Sequence, residues 1–139
     1  MTSSQPVATP NALNFTPDNK HCYAYSGAIA VTNSEKTLLD IKTQSEYIVG
    51  QWTGHFNQSI ASAVETEDYR FVLKFNGIQI MELVASDSSS QNRNNYRDLI
   101  IPPFTNVVIT CQNYDGSTTN DMGAVLTGKA FGMSETEYQ

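Results

Sequence analysis

The stretch Tyr69-Arg70-Phe71-Val72-Leu73-Lys74-Phe75-Asn76-Gly77-Ile78-Gln79-Ile80-Met81-Glu82-Leu83-Val84 decides the fold. Its first half alternates between two faces, the period of a half-buried strand. Asn76-Gly77 then supplies the pair favoured by a two-residue type I′ turn, in which both central residues need φ > 0. Ile78 to Val84 returns as a second strand. A two-residue turn pairs Phe75 with Ile78 and Leu73 with Ile80 on one face. The same register sets Glu82 opposite Phe71, so a bulge or an exposed strand end must resolve the conflict.

Six more strands are expected on either side of this hairpin. Towards the N-terminus, Tyr25 to Thr32 ends at an Asn33-Ser34 turn. Thr37 to Lys42 places Leu39 and Ile41 on one face and Leu38, Asp40 and Lys42 on the other. From about Glu46 to Phe56, Ile48, Trp52 and Phe56 share a face with Gly50 and Gly54, and the glycines suggest a bend or bulge. Towards the C-terminus, Tyr96 to Ile101 is stopped by Pro102-Pro103, because consecutive prolines cannot continue a ladder. Val107 to Gln112 aligns Val107, Ile109 and Cys111, and Gly123 to Phe131 is closed by Gly132. Residues 86–98 and Asn113 to Asp121 read as polar loops. Ser59 to Thr66 has room for one or two helical turns, but no segment sustains a 3.6-residue apolar period.

The pattern predicts an all-β domain, an eight-stranded antiparallel jelly-roll β-sandwich. Residues 1–23 form an extended N-terminal arm, 24–132 the sandwich and 133–139 a short acidic tail. The strand count, the single central tight hairpin and the longer alternating connections favour Greek-key crossings between two sheets. An immunoglobulin-like sandwich would flank Trp52 with cysteines at that fold's spacing. A lipocalin-type barrel would show more short hairpins.

At 139 residues the chain suits one core. Hydrophobic residues make up 40% and charged ones only 16%. Asn, Ser, Thr and Gln replace the missing charge, which suits pleated surfaces and turns. Eight Lys and Arg stand against fourteen Asp and Glu, a net charge of −6. Without a Lys/Arg run, nucleic acid is not an expected partner, since phosphate binding needs a basic patch. Docking on an anionic membrane is not expected either. Residues 1–23 hold no apolar signal segment and no stretch is long enough to span a bilayer, so synthesis in a cytoplasm is expected.

No catalytic constellation is legible, and the chain is expected to be neither an enzyme nor a cofactor protein. His21 and His55 are far apart in sequence. No G-x-S-x-G elbow, phosphate loop or H-E-x-x-H motif is present. Glu65, Glu67 and Asp68 cluster before a strand, which suits a solvated turn better than the facing carboxylates of a glycosidase. Asp115, Asn120 and Asp121 offer oxygen ligands but lack EF-hand spacing for calcium. His21-Cys22 has no second ligand pair, so no metal is expected. Cys22 and Cys111 read as free thiols. Trp52, Tyr96 and Tyr114 are candidates for stacking on a sugar, with a core Trp and two rim tyrosines as the plainer reading. Arg93, Tyr96 and Tyr114 mark the candidate ligand or partner loops.

The arm holds Pro6, Pro10 and Pro17, which withhold backbone donors, so it is not expected in a central ladder. A floppy terminus and a strap laid on a neighbouring subunit both fit. In the second reading Val7, Leu13 and Phe15 are the anchors on a neighbour.

Ile100-Ile101-Pro102-Pro103-Phe104-Thr105-Asn106-Val107-Val108-Ile109, followed by Ala124-Val125-Leu126-Thr127-Gly128-Lys129-Ala130-Phe131-Gly132, resembles segments of small proteins encoded by marine phages and other viruses. The hairpin from Phe71 to Met81 is similar too, and the resemblance covers about residues 25–132. It implies a jelly-roll virion component of the cement, decoration or spike type. A homotrimer contacting the major capsid protein is the implied assembly, and the virion its location. Lys20 is the arm's only cation, unlike the basic arm of a capsid protein that packages nucleic acid. That favours an auxiliary protein on the outer surface. A carbohydrate- or receptor-binding module of a spike or fibre is the alternative.

Overall fold

The computed structural model describes residues 11–18, 20–56, 68–86, 96–114 and 119–132. Among them the chain is all-β, with two antiparallel sheets stacked as a sandwich. The strands are β1 (Asn14–Phe15), β2 (His21–Tyr25), β3 (Ile29–Val31), β4 (Lys36–Lys42), β5 (Tyr47–Phe56), β6 (Asp68–Phe75), β7 (Ile78–Ser86), β8 (Arg97–Ile101), β9 (Asn106–Asn113) and β10 (Asn120–Phe131). The first sheet runs β1-β2-β10-β5-β8, with β3 also on β10. The second runs β4-β9-β6-β7.

Ten strands stand where eight were expected, because of the N-terminal region. The expected strand from Tyr25 to Thr32 is broken at Ser26–Ala28. Gly27 takes φ +80 there, a left-handed conformation that suits glycine. Both halves still lie along β10: Tyr25 is opposite Val125 and Ile29 opposite Met122. Ser26 stitches the break, because the Ala124 N–H donates to its hydroxyl at 3.0 Å. Asn14–Phe15 and residues 21–23, given to the arm on proline content, lie in ladder strands, the latter as the first part of β2. Pro17 sits in the turn between β1 and β2, where a missing donor costs nothing.

The central hairpin resolves its own conflict with a bulge. Phe75 pairs with Ile78, but the register shifts so that Leu73 meets Met81 and Phe71 meets Leu83. The extra residue is Ile80. Its insertion turns Leu83 into the core and sends Glu82 to the outer face opposite Val72. A second bulge lies in β4 between Thr37 and Leu39. Leu38, expected on the outer face, is buried together with Leu39 because two residues there oppose one on β9.

The glycines of β5 do not mark a bulge. β5 and β10 pair without interruption from Tyr47–Phe131 to Phe56–Met122. Gly54 lies under the Phe71 ring, which would stand 2.2 Å from a Cβ. Gly50 and Gly128 face one another, and a Cβ at Gly50 would lie 2.0 Å from the Thr127 carbonyl oxygen. Close approach, not an extra residue, is what glycine permits here.

Between the sheets, Trp52, Ile48, Met122 and Leu126 from the first meet Tyr69, Phe71, Leu73 and Ile109 from the second, all fully buried. The Trp52 indole N–H points at the Met81 sulfur, 3.5 Å away. Asn11 ties the sheets at one open side. Its N–H donates to the Tyr25 carbonyl at 2.7 Å, and its side-chain oxygen accepts from the Asp40 N–H at 2.9 Å. It does so at φ +57, a conformation asparagine tolerates better than most residues.

Candidate functional site

Arg93 and Val7 lie outside the described residues, as do Glu65, Glu67 and Asp115. Leu13 and Phe15, anticipated on a neighbouring subunit, are half-buried and pack against this chain's own core. They are held there by the β1–β2 hairpin. Its turn is fastened by Asp18, which accepts from the Thr16 hydroxyl at 2.6 Å and the Lys20 N–H at 3.0 Å. Those two bonds hold the Asp18 carboxyl below its usual range.

The two loop tyrosines belong to different sheets. Tyr96 is exposed just before β8, at the edge of the first sheet. Tyr114 follows β9, and the Arg70 guanidinium sits 4.4 Å from its ring centroid. Arg70 also reaches Glu82 at 3.7 Å across the hairpin. Lys74 meets Glu35 at 3.2 Å on the same outer face. Glu35 accepts from Thr110 as well, and that bond, more than the ammonium, holds its carboxyl below the usual range.

His21 is exposed on β2, while His55 is half-buried on β5 beside Gly123. Trp52 is fully buried and lines no surface. Both cysteines are free and buried. Desolvation, helped by the Glu46 charge, pushes the Cys22 thiol up to about 11, and burial raises Cys111 further. Neither supplies a thiolate at neutral pH, the form that attacks or binds metal. Among the described residues no group of three or more His, Cys, Asp and Glu is placed to hold a metal ion. No helix among them is long and apolar enough to cross a membrane.

The features that sequence reading missed lie on and beside the first sheet. Tyr47 stacks on Phe131 with centroids 5.2 Å apart. Val49 pairs with Ile100 on the same outer face, and all four side chains are exposed. Beside them the close approach of β5 and β10 leaves a shallow groove of about 560 Å³ over Gly50 and Gly128. Val49, Gln51, Tyr23 and Thr127 flank it, with His21 and Lys129 at its margin. Scattered exposed apolar residues are ordinary, but a contiguous group marks a contact surface.

At the end of this sheet, Phe104 is 71% exposed at φ +53. For a bulky residue that is an outlier, tolerated only where the surroundings impose it. Five hydrogen bonds impose it. The Phe104 N–H donates to the Gln44 carbonyl at 2.7 Å. The buried Thr43 hydroxyl donates to Pro102 at 2.7 Å and accepts from the Thr105 N–H at 2.9 Å. The Thr43 N–H donates to the Thr105 carbonyl at 3.0 Å, and the Thr105 hydroxyl to Pro103 at 3.1 Å. Strand periodicity marks Pro102-Pro103 as the end of a strand and gives no role to the large apolar residue right after it, which is the available signal for the tip.

No family model, curated protein or solved structure matches the chain.

Proposed function

We propose that this protein is a non-enzymatic auxiliary component of a virion outer surface, a cement or decoration subunit. It binds its own copies, as a homotrimer, and the major capsid protein. The sandwich in this reading is a jelly roll. The observation that carries it is the pairing order. Counting β2 and β3 as one broken strand gives eight, with β1 as an addition at the edge. The first then pairs with the last (β10), β4 with β9, β5 with β8, and β6 with β7. Such an order is what a single long hairpin rolled up into a double Greek key would give, and it supports the jelly-roll reading. A net charge of −6 suits a subunit that packs against protein rather than packaged nucleic acid.

The test is location. Antibody to the protein, applied to the particle fraction of a culture carrying the gene, is expected to label intact particle surfaces. Antigen found only in the particle-free supernatant would overturn the role.

Glycan or receptor binding on a spike or fibre is the second reading. The half-exposed Tyr114 ring, held from one side by Arg70, favours it. A glycan array should then show signal that falls at least tenfold in Tyr114→Ala, and a blank array removes this reading.

A further inference from the structure

We propose that the Phe104 tip of one copy docks into the Gly50–Gly128 groove on the first sheet of a second copy. The inference deepens the self-association put forward above and rests on that reading for its partner. Two independent observations meet in it. The tip presents a large aromatic ring at φ +53, 71% exposed, fixed between Pro102-Pro103 and Thr43. An aromatic anchor on a backbone that is already fixed loses less entropy on binding, which suits an interface hot spot. The groove supplies what such an anchor needs. It is shallow and open, about 560 Å³, wide enough for one phenyl ring to lie along it. Its floor is glycine backbone, and Val49 and Tyr23 wall it.

Surroundings and charge select a second copy. Tyr47, Val49, Ile100 and Phe131 lie exposed on the same outer face, so a docked copy covers apolar surface beyond the tip. The tip loop carries Glu46, which accepts from the Gln44 N–H at 3.1 Å, and the groove margin carries Lys129 and His21. A copy of this acidic chain approaching that margin brings a carboxylate to a cation. An anionic bilayer would meet the acidic charge of the whole chain. Tip and groove are different surfaces, so the contact is head-to-tail, and in the homotrimer put forward above it would close into a three-membered ring.

The experiment uses the full chain with a photo-crosslinking phenylalanine analogue at 104, mixed as ¹⁴N and ¹⁵N copies. Crosslinks joining light and heavy chains should map to residues 21–23, 47–51 or 125–129. A mass above one 15.4 kDa chain should be seen by light scattering. Phe104→Asn tolerates the same backbone conformation and should keep the fold, by circular dichroism, while shifting the mass to monomer. Thr127→Arg, which fills the groove from an exposed position, should do the same. A wild-type monomer at 100 µM, or inter-chain crosslinks that map elsewhere, overturns the contact. Unchanged association in both folded variants also overturns it. A two-chain assembly with tip-to-groove crosslinks supports the contact and removes only the threefold count. A confirmed contact in a protein absent from particles leaves the contact standing and removes the virion role.

Discussion

The two sheets depart from flat pleating by opposite means. The first does it with glycine: β5 and β10 keep an unbroken ten-pair register while Gly50 and Gly128 let their backbones close together. The second does it with extra residues, at Leu38 in β4 and Ile80 in β7. A bulge re-aims side chains, and both bulges here place an apolar residue inside while charge moves out. The outer faces differ accordingly. On the second sheet Arg70–Glu82 and Lys74–Glu35 pair their charges over the surface. On the first, Tyr47, Val49, Ile100 and Phe131 stay uncovered beside the groove. The sheet shaped by glycine carries an aromatic and aliphatic group beside its groove, while the sheet shaped by bulges carries two ion pairs on an outer surface that also exposes Ile78, Ile80 and Val84.

Gly50→Val tests the glycine half of this contrast and should have the largest effect. A Cβ at this position meets backbone, the Thr127 oxygen at 2.0 Å and the Gly128 Cα at 2.7 Å, so no rotamer relieves it. The strands would have to separate along their longest ladder. A cost of about 3 kcal/mol or more is expected, a large part of the roughly 5–15 kcal/mol that holds a domain together. Urea denaturation should show the midpoint collapse. A variant as stable as the parent would mean that the close approach is not a constraint.

Leu38→Ala tests the bulge half and comes next. In a regular register only one of Leu38 and Leu39 would face the core, and truncating the other would cost little. With both buried by the bulge, Leu38→Ala and Leu39→Ala should each cost about 2–4 kcal/mol. Thr37→Ala, their exposed neighbour, serves as the control and should change the same urea midpoint little. A small effect at either leucine would remove the bulge.

Much of this contrast was legible in the chain, and its limits are physical. Alternation exposes the hairpin of β6 and β7, and the clash of Glu82 with Phe71 calls for a bulge or an exposed strand end without deciding between them. Alternation also sets Leu38 on the face of Asp40 and Lys42, because strict period-two reading admits no inserted residue and either leucine can be the inserted one. Gly50 and Gly54 were read as a bulge or bend, since a glycine in a strand has the same local signature whether it admits an extra residue or a close neighbour. Prolines hid the strand at His21–Tyr25, though Pro17 occupies only its preceding turn. The groove and the Thr43–Phe104 lock depend on contacts between residues far apart in sequence, Gly50 with Gly128 and Thr43 with Thr105, where no local period reports.

The smallest effect concerns the paired charges on the outer face of the second sheet. Glu35 is held below its ordinary pKa of 4.5, first by the Thr110 hydroxyl and then by Lys74. A carboxylate whose pKa is depressed on folding adds stability above its unfolded value and loses it as pH falls through the folded one. The contribution of Glu35 should therefore be complete at pH 7 and decline below about pH 4.5. Its side chain is 47% exposed, so water and salt screen it, and less than about 1 kcal/mol is expected. Urea midpoints of the parent and Glu35→Gln measured at pH 7 and pH 3 should converge at the lower pH. Raising salt at pH 7 should remove the Lys74 share and leave the Thr110 share, because a hydrogen bond to a buried hydroxyl is screened far less than an exposed ion pair. A gap between the two proteins that stays constant from pH 7 to pH 3 would mean that the Glu35 charge does not stabilise this face.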